Sequence, residues 1–169
     1  MDQKHVLRVG LLAVSLVVVA CGGSSSSGSG TAASSGSGAP TSSGAAASGP
    51  AKVSVANSSL GNILVDGSGR TLYLFANDTG STSTCYGSCA SAWPPLLTKG
   101  APDAGAGADA GLVGTTKRTD GTTEVTYNGH PLYYWVGDKK PGDVTGQGIN
   151  NSGGLWYVLD ASGDKVVKG

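Results

Sequence analysis

Short apolar runs, separated by turns rich in glycine, recur along the chain from residue 52 to its end. No segment after residue 20 shows a convincing apolar repeat of 3.6 residues, so helices are not expected apart from one short turn near residues 86–92. Many short strands joined by glycine-rich turns predict an all-β fold, a small sandwich or barrel. The strands are predicted at residues 52–56, 63–65, 72–75, 112–117, 124–127, 132–136, 155–159 and 165–167.

Two stretches of the chain repeat one pattern at an offset of 60 residues. Residues 69–78 and 129–138 both read G-x-x-L-Y-x-(F/W)-x-x-D, and a tryptophan followed by apolar residues comes after each. Chance is a poor explanation for both matches, so we expect two degenerate repeats, at about residues 60–100 and 120–160. The residues that define the two motifs are Tyr73, Phe75 and Asp78, and then Tyr133, Trp135 and Asp138.

These residues resemble a family of bacterial lipoproteins and secreted proteins with a Y-x-(F/W/Y)-x-x-D motif, described as a secreted repeat of unknown function. The resemblance covers about residues 55–160, and the stretch C-x-G-x-C-A-x-x-W-P-P from Cys85 is similar to the linking segment of that family. It implies an envelope protein without a settled biochemical role.

The first 20 residues have the pattern of a secretory signal. Lys4 and Arg8 precede an uncharged, mostly apolar run at residues 9–20, which is too short for a transmembrane helix of about 20 residues. The run ends on Cys21 between small residues, which resembles the lipoprotein signal class, in which the cysteine is acylated before cleavage. The residue after the cysteine is Gly22 and not the aspartate associated with inner-membrane retention, so the resemblance favours the outer membrane in a cell that has two. A plain signal peptide with an accidental cysteine is the alternative.

Residues 21–50 are almost entirely glycine, serine, alanine and threonine, which predicts a flexible tether. A coil of this length has a root-mean-square reach of about 30 Å. All aromatic residues, three tryptophans, six tyrosines and one phenylalanine, lie in the region that follows. One domain is therefore expected at residues 51–169.

Charge argues against nucleic acid as a partner. Without residues 1–20 the chain keeps nine basic and ten acidic side chains, a formal net charge of −1. Nucleic-acid binding requires a basic face that displaces counterions from phosphates. The positive charges here are scattered.

Acylation of Cys21 would leave Cys85 and Cys89 as a pair in an oxidising compartment, so a structural disulfide is expected. The spacing is not C-x-x-C, and no basic residue adjoins the pair in sequence. The alternative is a redox or electron-transfer accessory that uses the Cys85–Cys89 pair.

The motif residues have a structural and a functional interpretation. An aromatic pair two residues apart projects from one face of a strand, and the aspartate beyond the strand end can accept backbone N–H groups of a turn. The functional alternative is that Tyr73, Phe75 and Asp78, with Tyr133, Trp135 and Asp138, line a groove for a ligand. An enzyme that uses the two aspartates as catalytic carboxylates is a further alternative.

Cofactor and metal sites are not expected. His130 is the only histidine after residue 20, so copper and haem sites that need two such ligands cannot be assembled. The loop at residues 137–154 holds oxygen donors without the spacing of a calcium loop and is the first candidate for a recognition surface. We therefore expect a membrane-anchored lipoprotein that binds an envelope protein or a small ligand, or supports structure, and is not an enzyme.

Overall fold

The structure, a computed structural model, describes residues 48–167. The predicted signal, Cys21 and the tether up to residue 47 lie outside the described residues. Within residues 48–167, no helix has the length and apolar character needed to cross a membrane. The elements in chain order are β1 (Lys52–Ser58), β2 (Gly61–Asp66), β3 (Tyr73–Phe75), α1 (Ser88–Ala92), β4 (Asp103–Ala104), β5 (Val113–Lys117), β6 (Thr123–Tyr127), β7 (His130–Pro131), β8 (Asn150–Asn151) and β9 (Gly154–Val158).

The strands form three small sheets with the orders β2-β1-β4, β3-β9-β8 and β5-β6-β7. Neighbouring strands are antiparallel, except that β4 is parallel to β1. The predicted all-β fold with one short helical turn is confirmed.

Turn chemistry explains two of the hairpins. The Asp66 carboxylate accepts the N–H groups of Ser68 and Arg70 at 2.8 and 2.9 Å, which closes the turn between β2 and the first motif. Asn128 and Gly129 both have positive φ, 48° and 79°, as a two-residue hairpin turn requires. The Asn-Gly hairpin predicted before the second motif is therefore confirmed.

The two repeats exchange strands. Strand β9 of the second repeat pairs with β3 of the first. In return, the segment after the first tryptophan pairs with the second repeat, where Leu96 N–H donates to Leu132 O at 2.7 Å and Val125 N–H donates to Leu96 O at 2.9 Å. Each repeat thus completes the sheet of the other.

The predicted strand at residues 132–136 is wrong. The structure has only isolated bridges there, from Tyr133 to Tyr73 and to Pro95. Pro94 and Pro95 have no N–H to donate, so the partner segment cannot sustain a continuous ladder. Residues 165–167 likewise contribute a single bridge, from Lys165 to Leu159, and the two-residue strands β4 and β8 carry no apolar pattern that would have predicted them.

Two apolar clusters fill the interior. The first is aliphatic for the most part and is centred on residues such as Val53, Leu64 and Leu132, all 0% exposed. The second contains most of the aromatic rings together with Ile63 and Cys85. The motif residues lie in and beside this aromatic cluster.

Candidate functional site

The tyrosine of each motif binds the aspartate of the other motif. Tyr73 Oη donates to Asp138 Oδ2 at 2.7 Å, and Tyr133 Oη donates to Asp78 Oδ2 at 2.7 Å. The same two tyrosines exchange backbone N–H to O hydrogen bonds, both of 2.9 Å. The motifs therefore meet at an approximate local twofold axis between Tyr73 and Tyr133.

The second oxygen of each aspartate caps a turn. Asp78 Oδ1 accepts the N–H and hydroxyl of Thr84, both at 2.7 Å. Asp138 Oδ1 accepts the same two groups of Thr145, at 2.9 and 2.7 Å. The predicted capping role of the aspartates is confirmed, whereas their tyrosine partners were not predicted.

Burial keeps both tyrosines protonated. It raises the pKa of the Tyr73 hydroxyl, and the hydrogen bond to Asp138 raises it further. Burial also raises the pKa of Tyr133, with additional contributions from the negative charges of Glu124 and Asp78. Both hydroxyls thus remain hydrogen-bond donors over the physiological pH range.

Four aromatic rings form a continuous stack through the second cluster. Phe75 lies 4.2 Å from Trp156, Trp156 lies 4.0 Å from Trp93, and Trp93 lies 4.3 Å from Trp135, measured between ring centroids. The aromatic residue of each motif thus stacks on the tryptophan of the other repeat. Like the tyrosine–aspartate pairs, these two stacking contacts each join one repeat to the other.

The six motif residues differ in exposure. Tyr73, Phe75, Tyr133 and Asp138 are buried, with Asp138 exposed by 7%, whereas Asp78 and Trp135 are half-buried. Most of their side-chain hydrogen-bond donors and acceptors are paired within the protein. Of the six, only Phe75 and Asp78 line the cavity described below.

A buried ion pair extends the polar network of the first aspartate. Arg118 Nη1 donates to Glu124 Oε2 and to Ser83 Oγ, both at 2.7 Å, and Ser83 Oγ lies 2.7 Å from Tyr133 Oη. The side chains of Arg118 and Glu124 are 1% and 0% exposed. One chain of hydrogen bonds therefore joins Asp78, Tyr133, Ser83, Arg118 and Glu124.

The repeat alignment holds the signal that could have revealed this pair. Leu64 and Val125 occupy equivalent places, since the N–H groups of Leu72 and Leu132 donate to their carbonyl oxygens, each at 3.0 Å. Glu124 then corresponds to Ile63, a core residue that is 1% exposed. An acid at a position that is apolar in the sister repeat predicts a buried partner.

Glu124 is electrostatically unusual. Burial raises the pKa of its carboxyl group to about 8, although the hydrogen bond and charge of Arg118 lower it. Within residues 48–167, Glu124 Oε1 is the one buried side-chain oxygen or nitrogen without a hydrogen-bond partner. Such an orphaned oxygen favours the protonated form of the carboxyl group.

Cys85 and Cys89 form the predicted disulfide, with 5.2 Å between their Cα atoms. Cys85 is 0% exposed. Arg118 Nη2 donates to the carbonyl oxygen of Cys85 at 2.7 Å, so a basic group that is remote in sequence lies beside the disulfide. The predicted helical turn is α1, which holds Cys89.

The loop at residues 137–154 is tied to the core. Thr71 Oγ1 donates to Asp143 O at 2.6 Å, and Gly146 N–H donates to Tyr73 Oη at 3.2 Å. A Cβ at Gly146 would lie 2.9 Å from both Tyr73 and Trp93, so only glycine lets the backbone approach these rings.

An open cavity of about 280 Å³ lies beside Asp78. Four of its lining side chains are ionisable and three are apolar. The lining residues are Leu74, Phe75, Ala76, Asp78, His130, Asp164 and Lys165. In the described part of the chain, no three histidine, cysteine or acidic side chains are grouped so that they could hold a metal ion.

A family model for a secreted repeat of unknown function matches residues 54–97 and 114–160, more than half of the chain. The chain belongs to this family. The resemblance inferred from the tyrosine and aspartate motifs is thereby confirmed, and the two matched stretches of this secreted-repeat protein coincide with the halves that exchange strands. No curated protein and no solved structure shows significant similarity to it.

Proposed function

We propose that this secreted-repeat protein is a lipid-anchored lipoprotein of the cell envelope whose folded domain has a non-catalytic binding role. The observation that carries the non-catalytic part is that both motif carboxylates are held by hydrogen bonds within the protein. Asp78 and Asp138 each accept three hydrogen bonds, from a turn and from the tyrosine of the other repeat. Acid–base catalysis needs groups that can reach the substrate, and Asp138 is buried and does not line the cavity.

The anchor is supported by the sequence. The apolar run that ends on Cys21 resembles a lipoprotein signal, and the composition of the segment that follows predicts a tether with a reach of about 30 Å. A domain on such a tether can search a thin layer above a membrane surface. In a cell with two membranes we expect the outer membrane, because Gly22 follows the cysteine.

Expression of the full chain in a bacterium, beside a Cys21→Ser variant, tests the anchor. Mass spectrometry of the N-terminal peptide should find acyl chains on Cys21, and the protein should partition into the membrane fraction. The Cys21→Ser variant should carry no acyl chain and should be recovered in the soluble fraction. An unmodified Cys21, or equal partitioning of the two proteins, would contradict the proposal.

A second variant tests the choice of membrane. In a host with two membranes, density-gradient fractionation should place the wild-type chain with the outer membrane and Gly22→Asp with the inner one. The same distribution for both proteins would remove this part of the proposal.

A further inference from the structure

The cavity beside Asp78 breaks the symmetry of the repeats. In the motif alignment, Leu74 and His130 correspond to Tyr134 and Arg70. The Arg70 guanidinium lies 4.4 Å from the centroid of the Tyr134 ring, so two large side chains pack together at those positions. The smaller Leu74 and His130 leave the cavity of about 280 Å³ open.

Opposite charges face the cavity without neutralising one another. In the part of the chain that the structure describes, every ion pair within 4.0 Å involves Arg118. Lys165 therefore makes no ion pair with Asp78 or Asp164, although all three line the same space. Lys165 instead lies with its ammonium 5.4 Å from the centroid of the Tyr157 ring.

Two acidic groups remain available to a ligand. The side chain of Asp164 makes no hydrogen bond to residues 48–167. A carboxylate offers about four lone-pair sites. Asp78 uses three of them, two on Oδ1 and one on Oδ2, so it can accept one more donor.

Size and chemistry together define the occupant. The cavity volume lies just below the range of about 300–1,000 Å³ typical for drug-sized ligands, so the occupant is smaller. Phe75 and Leu74 contribute apolar lining, and Lys165, Asp78 and Asp164 contribute charges that form no ion pair with one another. A molecule that carries both charges beside an apolar group satisfies each part of this lining.

We propose that this cavity binds a small zwitterion with an apolar or aromatic side chain, of the size of one free amino acid. Lys165, with His130, receives the ligand carboxylate, Asp164 and Asp78 receive the ammonium group, and the side chain packs on Phe75. This inference rests on the proposed binding role and names the ligand class for it.

Three probes of matched shape test the charge requirement. L-phenylalanine carries both charges, 3-phenylpropionate lacks the ammonium group, and phenethylamine lacks the carboxylate. Each is titrated into the mature chain with Cys21→Ser, and binding is followed by NMR shifts of the backbone amides of Ala76 and His130. L-phenylalanine should bind at least 10-fold more tightly than either analogue.

Two variants test the assigned contacts. Lys165→Met should weaken L-phenylalanine at least 5-fold and leave phenethylamine unchanged, and Asp164→Asn should weaken L-phenylalanine and leave 3-phenylpropionate unchanged. Lys140→Met is the matched control, because Lys140 is exposed and does not line the cavity. It should alter neither affinity.

Three results would overturn the proposal: equal binding of the three probes, no shifts with any of them at millimolar concentration, or an unchanged L-phenylalanine affinity in Lys165→Met. Preferential binding of one singly charged probe would exclude a zwitterion and leave the proposed binding role standing. Acylation of Cys21 is read out separately and does not depend on these titrations.

Discussion

Tyr73 and Tyr133 lie side by side, joined by two backbone hydrogen bonds of 2.9 Å, and each hydroxyl reaches the aspartate of the other repeat. This relationship explains the motif. The tyrosine holds the partner repeat, and the aspartate five residues later caps its own turn and receives the partner tyrosine. Strands, rings and polar pairs are all exchanged, so neither repeat contains a complete core, and we expect the domain to unfold as one unit.

Replacing Arg118 and Glu124 together should destabilise the protein less than replacing Arg118 alone. Arg118→Met alone leaves the buried Glu124 carboxyl group without its hydrogen-bond partner and should cost about 1–3 kcal/mol of unfolding free energy in urea denaturation. Adding Glu124→Ile, which restores the residue type found at Ile63 in the sister repeat, should recover most of that loss. A double variant as unstable as the single one would contradict the interpretation.

Glu124 should make stability depend on pH. Because burial raises the pKa of this carboxyl from its ordinary 4.5 to about 8, the folded state takes up a proton that the unfolded chain releases. The stability gained is fully present below pH 4.5 and is lost as the pH rises towards 8, with a slope of at most about 1.4 kcal/mol per pH unit. Unfolding measured from pH 5 to 8 should show a smaller slope in Glu124→Gln. Identical slopes in the two proteins would contradict the assignment of this pH dependence to Glu124.

Much of the fold could be predicted because its signals are local. Strand-like runs and the Asn128-Gly129 turn depend on neighbouring residues, and the 60-residue repeat shows when the sequence is aligned with itself. These predictions are confirmed. The prediction of a strand at residues 132–136 was wrong for a non-local reason. Its apolar pattern is correct, but its partner segment contains Pro94 and Pro95, and no local pattern shows which segment will lie beside it.

The site was predicted in part for the same reason. The turn-capping role of Asp78 is predicted by its place after a strand. The exchange between repeats, the approach of Arg118 to Cys85 and the cavity involving Lys165 all depend on residues about 30 to 90 positions apart. Such contacts become visible only when the two repeats are placed against each other.

Gly146 should tolerate no side chain. In Gly146→Ala the new Cβ would meet Tyr73 and Trp93 at 2.9 Å, both 0% exposed, so overpacking should cost about 1–3 kcal/mol. Gly49→Ala is the matched control, since a Cβ there meets nothing within 4 Å. Urea denaturation should separate the two variants clearly. Equal stability would mean that the loop is free to move away from the rings.

The disulfide should be structural. Because Cys85 is buried, a mild reductant should not open it in the native protein, and alkylation followed by mass spectrometry should find free thiols only when urea is present. Replacing Cys85 and Cys89 by serine should cost about 2 kcal/mol, as expected for so short a loop. A bridge that opens readily in the native state would instead support the redox alternative.

The most direct test of the crossed repeats is a pair of double-mutant cycles in the mature chain with Cys21→Ser. Tyr73→Phe combined with Asp138→Ala tests the hydrogen-bonded pair seen in the structure. Tyr73→Phe combined with Asp78→Ala is the control, because these two residues belong to one repeat and their side chains are not hydrogen-bonded to each other. The first cycle should give a coupling energy of about 1–3 kcal/mol, because it removes a buried hydrogen bond to a charged acceptor, and the second should give about 0.5 kcal/mol or less. Coupling within one repeat, with none between Tyr73 and Asp138, would contradict the account.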